Sequence, residues 1–187
     1  MIDPRASATH GRALRLGAVA TAALLLGALT SFAQTVLPPS LAPLANSASG
    51  WTIVTIALVA SVRPGPVLGA LAGTASFVAL VLGYTVASEL RGFAYDPSFW
   101  LVVSVVAGPV VGAAAAAIGA PRPATRLAGA AVLGGLLVAD ALRGLTVLAD
   151  TTAPASWVGV LLLGLGLAPG VAVLGRRRPA RPRGPAG

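Results

Sequence analysis

The feature that most constrains this chain is a series of six long apolar runs, separated by short segments that hold nearly all of its charges. Each run approaches the roughly 20 apolar residues that a helix needs to cross a hydrocarbon core. We therefore expect an all-α fold, a polytopic transmembrane helix bundle with a single domain over residues 16–175. The predicted spans lie at about 16–36, 47–62, 67–90, 99–119, 127–149 and 157–175.

The composition supports a membrane protein and excludes several other classes. With 56% hydrophobic and 10% charged residues, a soluble domain of 187 residues would lack the polar surface it needs. The absence of cysteine excludes disulfides, thiolate nucleophiles and sulfur metal sites. A net charge of +8 could indicate nucleic acid, but the arginines cluster at the two ends of the chain, as topology signals and lipid-headgroup contacts do. We expect a lipid bilayer as partner and no nucleic acid.

The distribution of charge predicts the orientation. With both termini cytoplasmic, the inner segments hold 11 of 13 arginines, as the positive-inside rule requires. Nearly all aromatic residues fall near the outer span ends, the expected place for an interfacial belt. The sequence predicts a multi-pass protein of the cell (inner) membrane. Residues 1–15 form a basic cytoplasmic segment, and residues 176–187 form an Arg/Pro-rich cytoplasmic tail without order.

The first run also has a second interpretation. Basic residues precede it, and Ser31, Phe32 and Ala33 before Gln34 resemble a small-residue cleavage site of a secretory signal. The run is longer than an ordinary signal core and more spans follow, so a retained helix is favoured. If the first run is cleaved, five spans remain.

The second run is the shortest of the six. From Trp51 to Val62 it reaches only about 18 Å as a helix, so it is expected to begin near Asn46, or to cross a thinned region. Ser47 or Ser49 is expected to cap its first turn. Pro109, in the fourth run, predicts a kink.

Glycines at intervals of four predict close helix packing. Small residues at this spacing form a smooth strip on one helix face, where a neighbouring helix can approach closely. The predicted packing positions are Gly65, Gly69, Gly73, Gly108 and Gly112.

Asp140 and Arg143 are the only two charges inside an apolar run. Ionisable groups at membrane depth are costly, so they indicate a functional site unless they are paired or reach water. Their spacing of three places them on one helical face, in the outer half of the membrane. One hypothesis is an outer polar cavity that binds a small solute. Its predicted lining is Asp140, Arg143, Glu89, Arg91, Asp96, Gln34, Asn46 and Tyr84. The alternative is that Arg143 reaches the headgroups and Asp140 pairs with it. In that case Glu89, Arg91 and Asp96 belong to a solvated loop.

The sequence offers no set of residues typical of catalysis. There is no lysine, no glycine-rich phosphate loop and no Gly-x-Ser-x-Gly elbow, and the only histidine, His10, lies in the basic segment. We expect no enzyme activity, no cofactor and no metal site.

Short motifs spread along the chain resemble an uncharacterised family. They include Gly27-x-Leu29-Thr30, Gln34, Leu37-Pro38, Ala45-Asn46-Ser47, Trp51, Gly83-Tyr84, Arg91-Gly92, Phe99-Trp100 and Gly108-Pro109. The pattern is similar to that of small six-span membrane proteins of unknown function from high-GC bacteria, over residues 15–175. This resemblance implies a retained first helix and an acidic residue in the fifth span, which Asp140 matches, but it names no substrate.

Two function classes remain open. One is a small-solute binding or transport subunit. In outline the chain resembles the substrate-capture subunits of energy-coupling-factor vitamin transporters, which dock a partner through small first-helix residues such as Ala18 and Ala22 here. Without a nucleotide-binding motif, active transport would need a partner ATPase or an ion gradient. The other class is a non-catalytic scaffold or accessory subunit that binds partner membrane proteins or anionic lipid.

Overall fold

The computed structural model describes residues 4–176 and contains seven α-helices in that range. They are α1 (Pro4–Val36), α2 (Ala42–Ala45), α3 (Ala48–Val62), α4 (Pro66–Leu90), α5 (Ser98–Ile118), α6 (Pro123–Thr146) and α7 (Pro154–Arg176). The described residues contain no strand, so the all-α prediction is confirmed. Apart from Arg176, the predicted tail at 176–187 lies outside the described residues.

Five of these helices are long and apolar enough to cross a membrane. They are α1, through its part His10–Val36, and α4, α5, α6 and α7. The second predicted span corresponds to α3, which is a shorter apolar helix of 15 residues. At the usual helical rise it reaches only about 22 Å, less than a hydrocarbon core of about 30 Å.

Local sequence accounts for the helix boundaries. The side chain of Ser47 accepts a hydrogen bond from the backbone N–H of Gly50, which confirms the predicted cap of α3. Helix α3 ends at Val62, and the residue after it, Arg63, has a left-handed backbone with φ 44°. Pro64 and Pro66 follow, and Pro66 begins α4 because a proline in the first turn loses no helical hydrogen bond.

Helix α4 is the centre of the bundle. It packs between α1 and α5, α5 packs on α6, and α6 packs on α7, while α3 lies against α4, α5 and α6. In the most apolar 18-residue stretch of each helix, 56% of the residues are buried in α4 but only 11% in α7, so α7 forms an edge of the bundle.

The short links between successive helices lie alternately at two ends. We call these the 91–97 end, which includes the segments at 37–47 and 147–153, and the 119–122 end, which includes the turn at 63–65.

The glycine strips bring α4 and α5 into backbone contact. A Cβ on Gly73 would lie 2.6 Å from the Cα of Gly112, and one on Gly69 would lie 2.7 Å from the carbonyl oxygen of Gly112. A Cβ on Gly108 would lie 2.8 Å from the Cα of Thr74. Gly65 lies outside this contact, with no atom within 4 Å of such a Cβ, and instead caps the start of α4. Helix α5 continues through Pro109.

A second close approach, between α1 and α4, was not predicted from the sequence. A Cβ on Gly27 would lie 2.8 Å from the Cα of Leu80, and one on Gly83 would lie 2.9 Å from the carbonyl carbon of Leu24. Contact at this distance leaves room only for glycine. It fixes α1 against α4 directly below the 91–97 end.

Candidate solute-binding cavity

Asp140 belongs to α6, and its side chain lies at the beginning of α3. Its Oδ2 accepts a hydrogen bond of 2.8 Å from the backbone N–H of Ser49. The first N–H groups of a helix have no partner within the helix, and the helix dipole makes that end favourable for a carboxylate. Arg143 Nη1 lies 4.0 Å from Asp140 Oδ1, and the two side chains are 58% and 9% exposed, respectively. The pair therefore joins α6 to the start of α3, with Arg143 reaching outwards.

A cavity of about 390 Å³ opens at the 91–97 end, between α1, the last turns of α4, the link that follows α4 and Asn46 in the segment at 37–47. Of the eight predicted solute-binding residues, four line this cavity: Gln34, Asn46, Tyr84 and Arg91. The other four, which are Asp140, Arg143, Glu89 and Asp96, lie outside the lining. Both Glu89 and Asp96 are exposed.

Six lining residues were missed by the sequence interpretation. They are Ser31, Thr35, Ser88, Phe93, Ala94 and Tyr95. A usable signal was present, because Ser31 and Thr35 lie one helical turn apart beside Gln34, and Ser88 lies one turn after Tyr84. Phe93, Ala94 and Tyr95 belong to an irregular link, where no periodicity indicates which side chain turns inward.

Arg91 ties the end of α4 to α1. Its Nη1 donates to the carbonyl oxygen of Ser31 and, at 2.9 Å, to the Ser31 hydroxyl. Its Nη2 donates to the Thr35 hydroxyl at 3.0 Å. The guanidinium carbon also lies over two aromatic rings, 4.6 Å from the centroid of Phe32 and 5.1 Å from that of Phe93. Among the side chains that the structure describes, at residues 10–175, the one ion pair is Asp140–Arg143. The groups that hold Arg91 are therefore all neutral.

Two buried polar atoms on lining residues have no hydrogen-bond partner among the described residues. They are Asn46 Oδ1 and the hydroxyl of Tyr95. Their neighbours are satisfied: the Ser31 and Ser88 hydroxyls lie 2.9 Å apart, and the Tyr84 hydroxyl donates to Gln34 Oε1. Buried polar groups in folded proteins are nearly always paired. Of the three exceptions among the described side chains, two belong to lining residues, and the third is the ring nitrogen of Trp51, which packs on Tyr84.

Aromatic rings pack against one another beside the cavity, in edge-on and tilted arrangements. Tyr84 and Tyr95 have centroids 4.7 Å apart, and the buried Trp51 meets Tyr84 at 5.9 Å and Trp100 at 4.9 Å. Burial raises the pKa of Tyr95 to about 12, with further contributions from Tyr84 and Asp96. Its hydroxyl therefore stays neutral at physiological pH and can donate a hydrogen bond.

Asp96 binds a backbone N–H group and does not line the cavity. Its Oδ1 accepts a hydrogen bond of 2.9 Å from the backbone N–H of Ser98, at the first turn of α5. Hydrogen bonds from Ser98 lower the pKa of this carboxyl, which keeps it ionised.

Among the described residues there is no group of three or more His, Cys, Asp or Glu side chains that could hold a metal ion.

Comparison with known proteins supplies a family. A family model matches residues 6–185, nearly the whole chain. The chain belongs to DUF6518, a family of unknown function. This confirms the resemblance to an uncharacterised family, while the origin in high-GC bacteria and the six-span count stay predictions. No curated protein and no solved structure matches the chain.

Proposed function

We propose that this membrane protein binds a small polar solute in the cavity at the 91–97 end, as a solute-binding or transport subunit. The observation that carries the proposal is the pair of buried, unpartnered polar atoms at the cavity, Asn46 Oδ1 and the Tyr95 hydroxyl. Each such group costs about 1–3 kcal/mol when it is left without a hydrogen bond. Both atoms are buried behind the cavity wall. A ligand that reaches them through small rotations of the two side chains, and bonds to them, removes this cost.

The size and the lining of the cavity also support a small ligand. Small-molecule sites are typically concave, about 300–1,000 Å³ in volume, and apolar apart from a few well-placed polar groups. The cavity of about 390 Å³ fits this description, with aromatic rings of Tyr84, Tyr95 and Phe93 beside the polar groups. Arg91 and the close glycine contacts hold its walls in place, which lowers the ordering cost of binding.

The test is a thermal-shift screen of small polar solutes on the detergent-purified protein. A ligand that binds only the folded state raises the unfolding temperature by mass action. Ala94→Trp places a large ring at the exposed lining position and is expected to abolish the shift. Ala149→Trp, the same change at an exposed site outside the lining, is the matched control and should keep it. A ligand shift that is equal in all three proteins would contradict the proposal.

A scaffold or accessory role is the second candidate, and α7 favours it. This helix packs mainly on α6 and leaves large apolar side chains exposed, among them Leu162, Leu163 and Leu165. Such a face suits lipid or a helix of a partner membrane protein. A partner chain that copurifies with the protein, together with no ligand shift in the screen, would favour this role.

A further inference from the structure

We propose that the ligand of this cavity is a small organic anion, whose acidic group binds the guanidinium of Arg91. The inference rests on the proposed function and adds the chemical class of the solute. It depends on the charge of the lining, on the geometry of Arg91 and on the two unpartnered polar atoms, each of which is independent of the cavity's size.

The lining carries one formal positive charge and no negative charge. Arg91 is its only ionised member, and the other nine residues are neutral. The nearest carboxylates in sequence, Glu89 and Asp96, are exposed and belong to no ion pair with Arg91. A half-buried cation without a counter-ion is costly, and an anion entering the cavity supplies that counter-ion. The same charge disfavours an amine or a metal cation.

The guanidinium is held in place without being neutralised. A guanidinium has five N–H donors, and three hydrogen bonds to Ser31 and Thr35 leave two donors free. All three acceptors are neutral oxygens, and the rings of Phe32 and Phe93 contact the cation without removing its charge. Arg91 is therefore a fixed cation that can bind a carboxylate in a planar, directional geometry.

The unpartnered atoms add a second requirement on the ligand. Asn46 Oδ1 is an acceptor, so it needs a donor on the ligand, whereas the Tyr95 hydroxyl can donate or accept. An organic acid that also carries a hydroxyl group can bind Arg91 through the acid and donate to Asn46 through the hydroxyl. Apolar or aromatic parts of the same molecule can pack on the rings of Tyr84 and Phe93.

The test is affinity selection by mass spectrometry with sets of compounds that differ only in charge. Each set contains an acid, its amide and the corresponding amine on one scaffold, for example mandelate, mandelamide and 2-amino-1-phenylethanol. We expect the full-length wild-type protein to retain acids at least tenfold over their amides, and to exclude the amines. Arg91→Gln should remove the preference for acids, and Arg91→Lys should keep part of it. Arg143→Gln, a change of an exposed arginine outside the lining, is the matched control.

The outcomes separate the two proposals. Retention of amides or amines in preference to acids, lost in Ala94→Trp, would keep the cavity as a binding site and overturn its preference for anions. Retention of no compound class by the wild-type protein would overturn both. Because Arg91 also ties α4 to α1, the Arg91→Gln variant could unfold. The preference of the wild-type protein among matched compounds decides the anion proposal without that variant.

Discussion

Asp140 Oδ2 accepts a hydrogen bond of 2.8 Å from the backbone N–H of Ser49, which lies 91 residues earlier in the chain. The contact places an acidic side chain of α6 at the N-terminus of α3, beside the Ser47 cap. It gives the acidic residue of the fifth apolar run a role in holding the short helix α3. The cavity at the 91–97 end contains no atom of this pair.

Removing this contact is expected to destabilise the protein without affecting solute binding. We expect Asp140→Ala to lower the free energy of unfolding by about 1–2 kcal/mol, the range for a lost helix cap with its charge–dipole interaction. Asp140→Asn should lose less, because the amide oxygen still accepts from Ser49. Thermal unfolding in detergent measures both, with Asp150→Ala, at an exposed residue, as control. An unchanged midpoint for Asp140→Ala would refute the anchoring role.

The backbone contact between α4 and α5 predicts strong sensitivity at Gly73. A Cβ there would lie 2.6 Å from the Cα of Gly112, so Gly73→Ala must push the two helices apart. We expect a loss of about 2 kcal/mol or more. Gly166→Ala, inside α7 with no atom within 4 Å, should leave stability unchanged or raise it. Unfolding midpoints of the two variants give the comparison, and equal midpoints would contradict the packing described above.

Thr55 and Ser76 form a buried hydroxyl pair, 3.0 Å apart, that links α3 to α4. Hydrogen bonds between membrane helices contribute modestly, with an average coupling of about 0.6 kcal/mol. We therefore expect Thr55→Val and Ser76→Ala each to destabilise the protein. The double variant should lose less than the sum of the two, because it leaves no hydroxyl unpaired. A double-mutant cycle of unfolding free energies measures the coupling, and strict additivity would show that the pair contributes nothing.

The raised pKa of Tyr95 predicts that the protein loses stability at alkaline pH. Burial holds its pKa in the folded state at about 12, above the ordinary value of 10.0. A raised folded-state pKa contributes stability that is complete below pH 10 and is lost as the pH rises towards 12. The unfolding midpoint should therefore fall over this window, and less so in Tyr95→Phe. Identical pH profiles for the two proteins would show that the ionisation of Tyr95 is not coupled to folding.

Much of the fold was predictable because the membrane limits the alternatives. Uninterrupted apolar runs predict helices, and prolines and polar turns mark where they end, so the structure places α4 and α5 within one residue of the predicted spans. The Ser47 cap and the close packing at Gly69 and Gly73 follow from local spacing, but that spacing does not identify α5 as the partner helix. The first helix begins earlier than the apolar run, at Pro4, because arginines at its start are compatible with a helix outside lipid.

The candidate site was predictable only in part. Their charge within an apolar run indicated that Asp140 and Arg143 have a specific role. The sequence cannot show that the N-terminus of α3 lies next to Asp140. The partners of Arg91, Ser31 and Thr35, are 60 and 56 residues away, and neutral hydroxyls in an apolar helix give little signal. That Asn46 and Tyr95 keep unpartnered polar atoms depends on packing between four segments, which periodicity does not describe.

Native mass spectrometry of the protein, gently extracted from its own membrane, tests the solute site at the 91–97 end directly. We predict a small molecule bound to the wild-type protein and to Ala149→Trp, and absent from Ala94→Trp. Spectra in which the three proteins carry the same adducts, or carry lipid alone, would contradict a solute site at the 91–97 end.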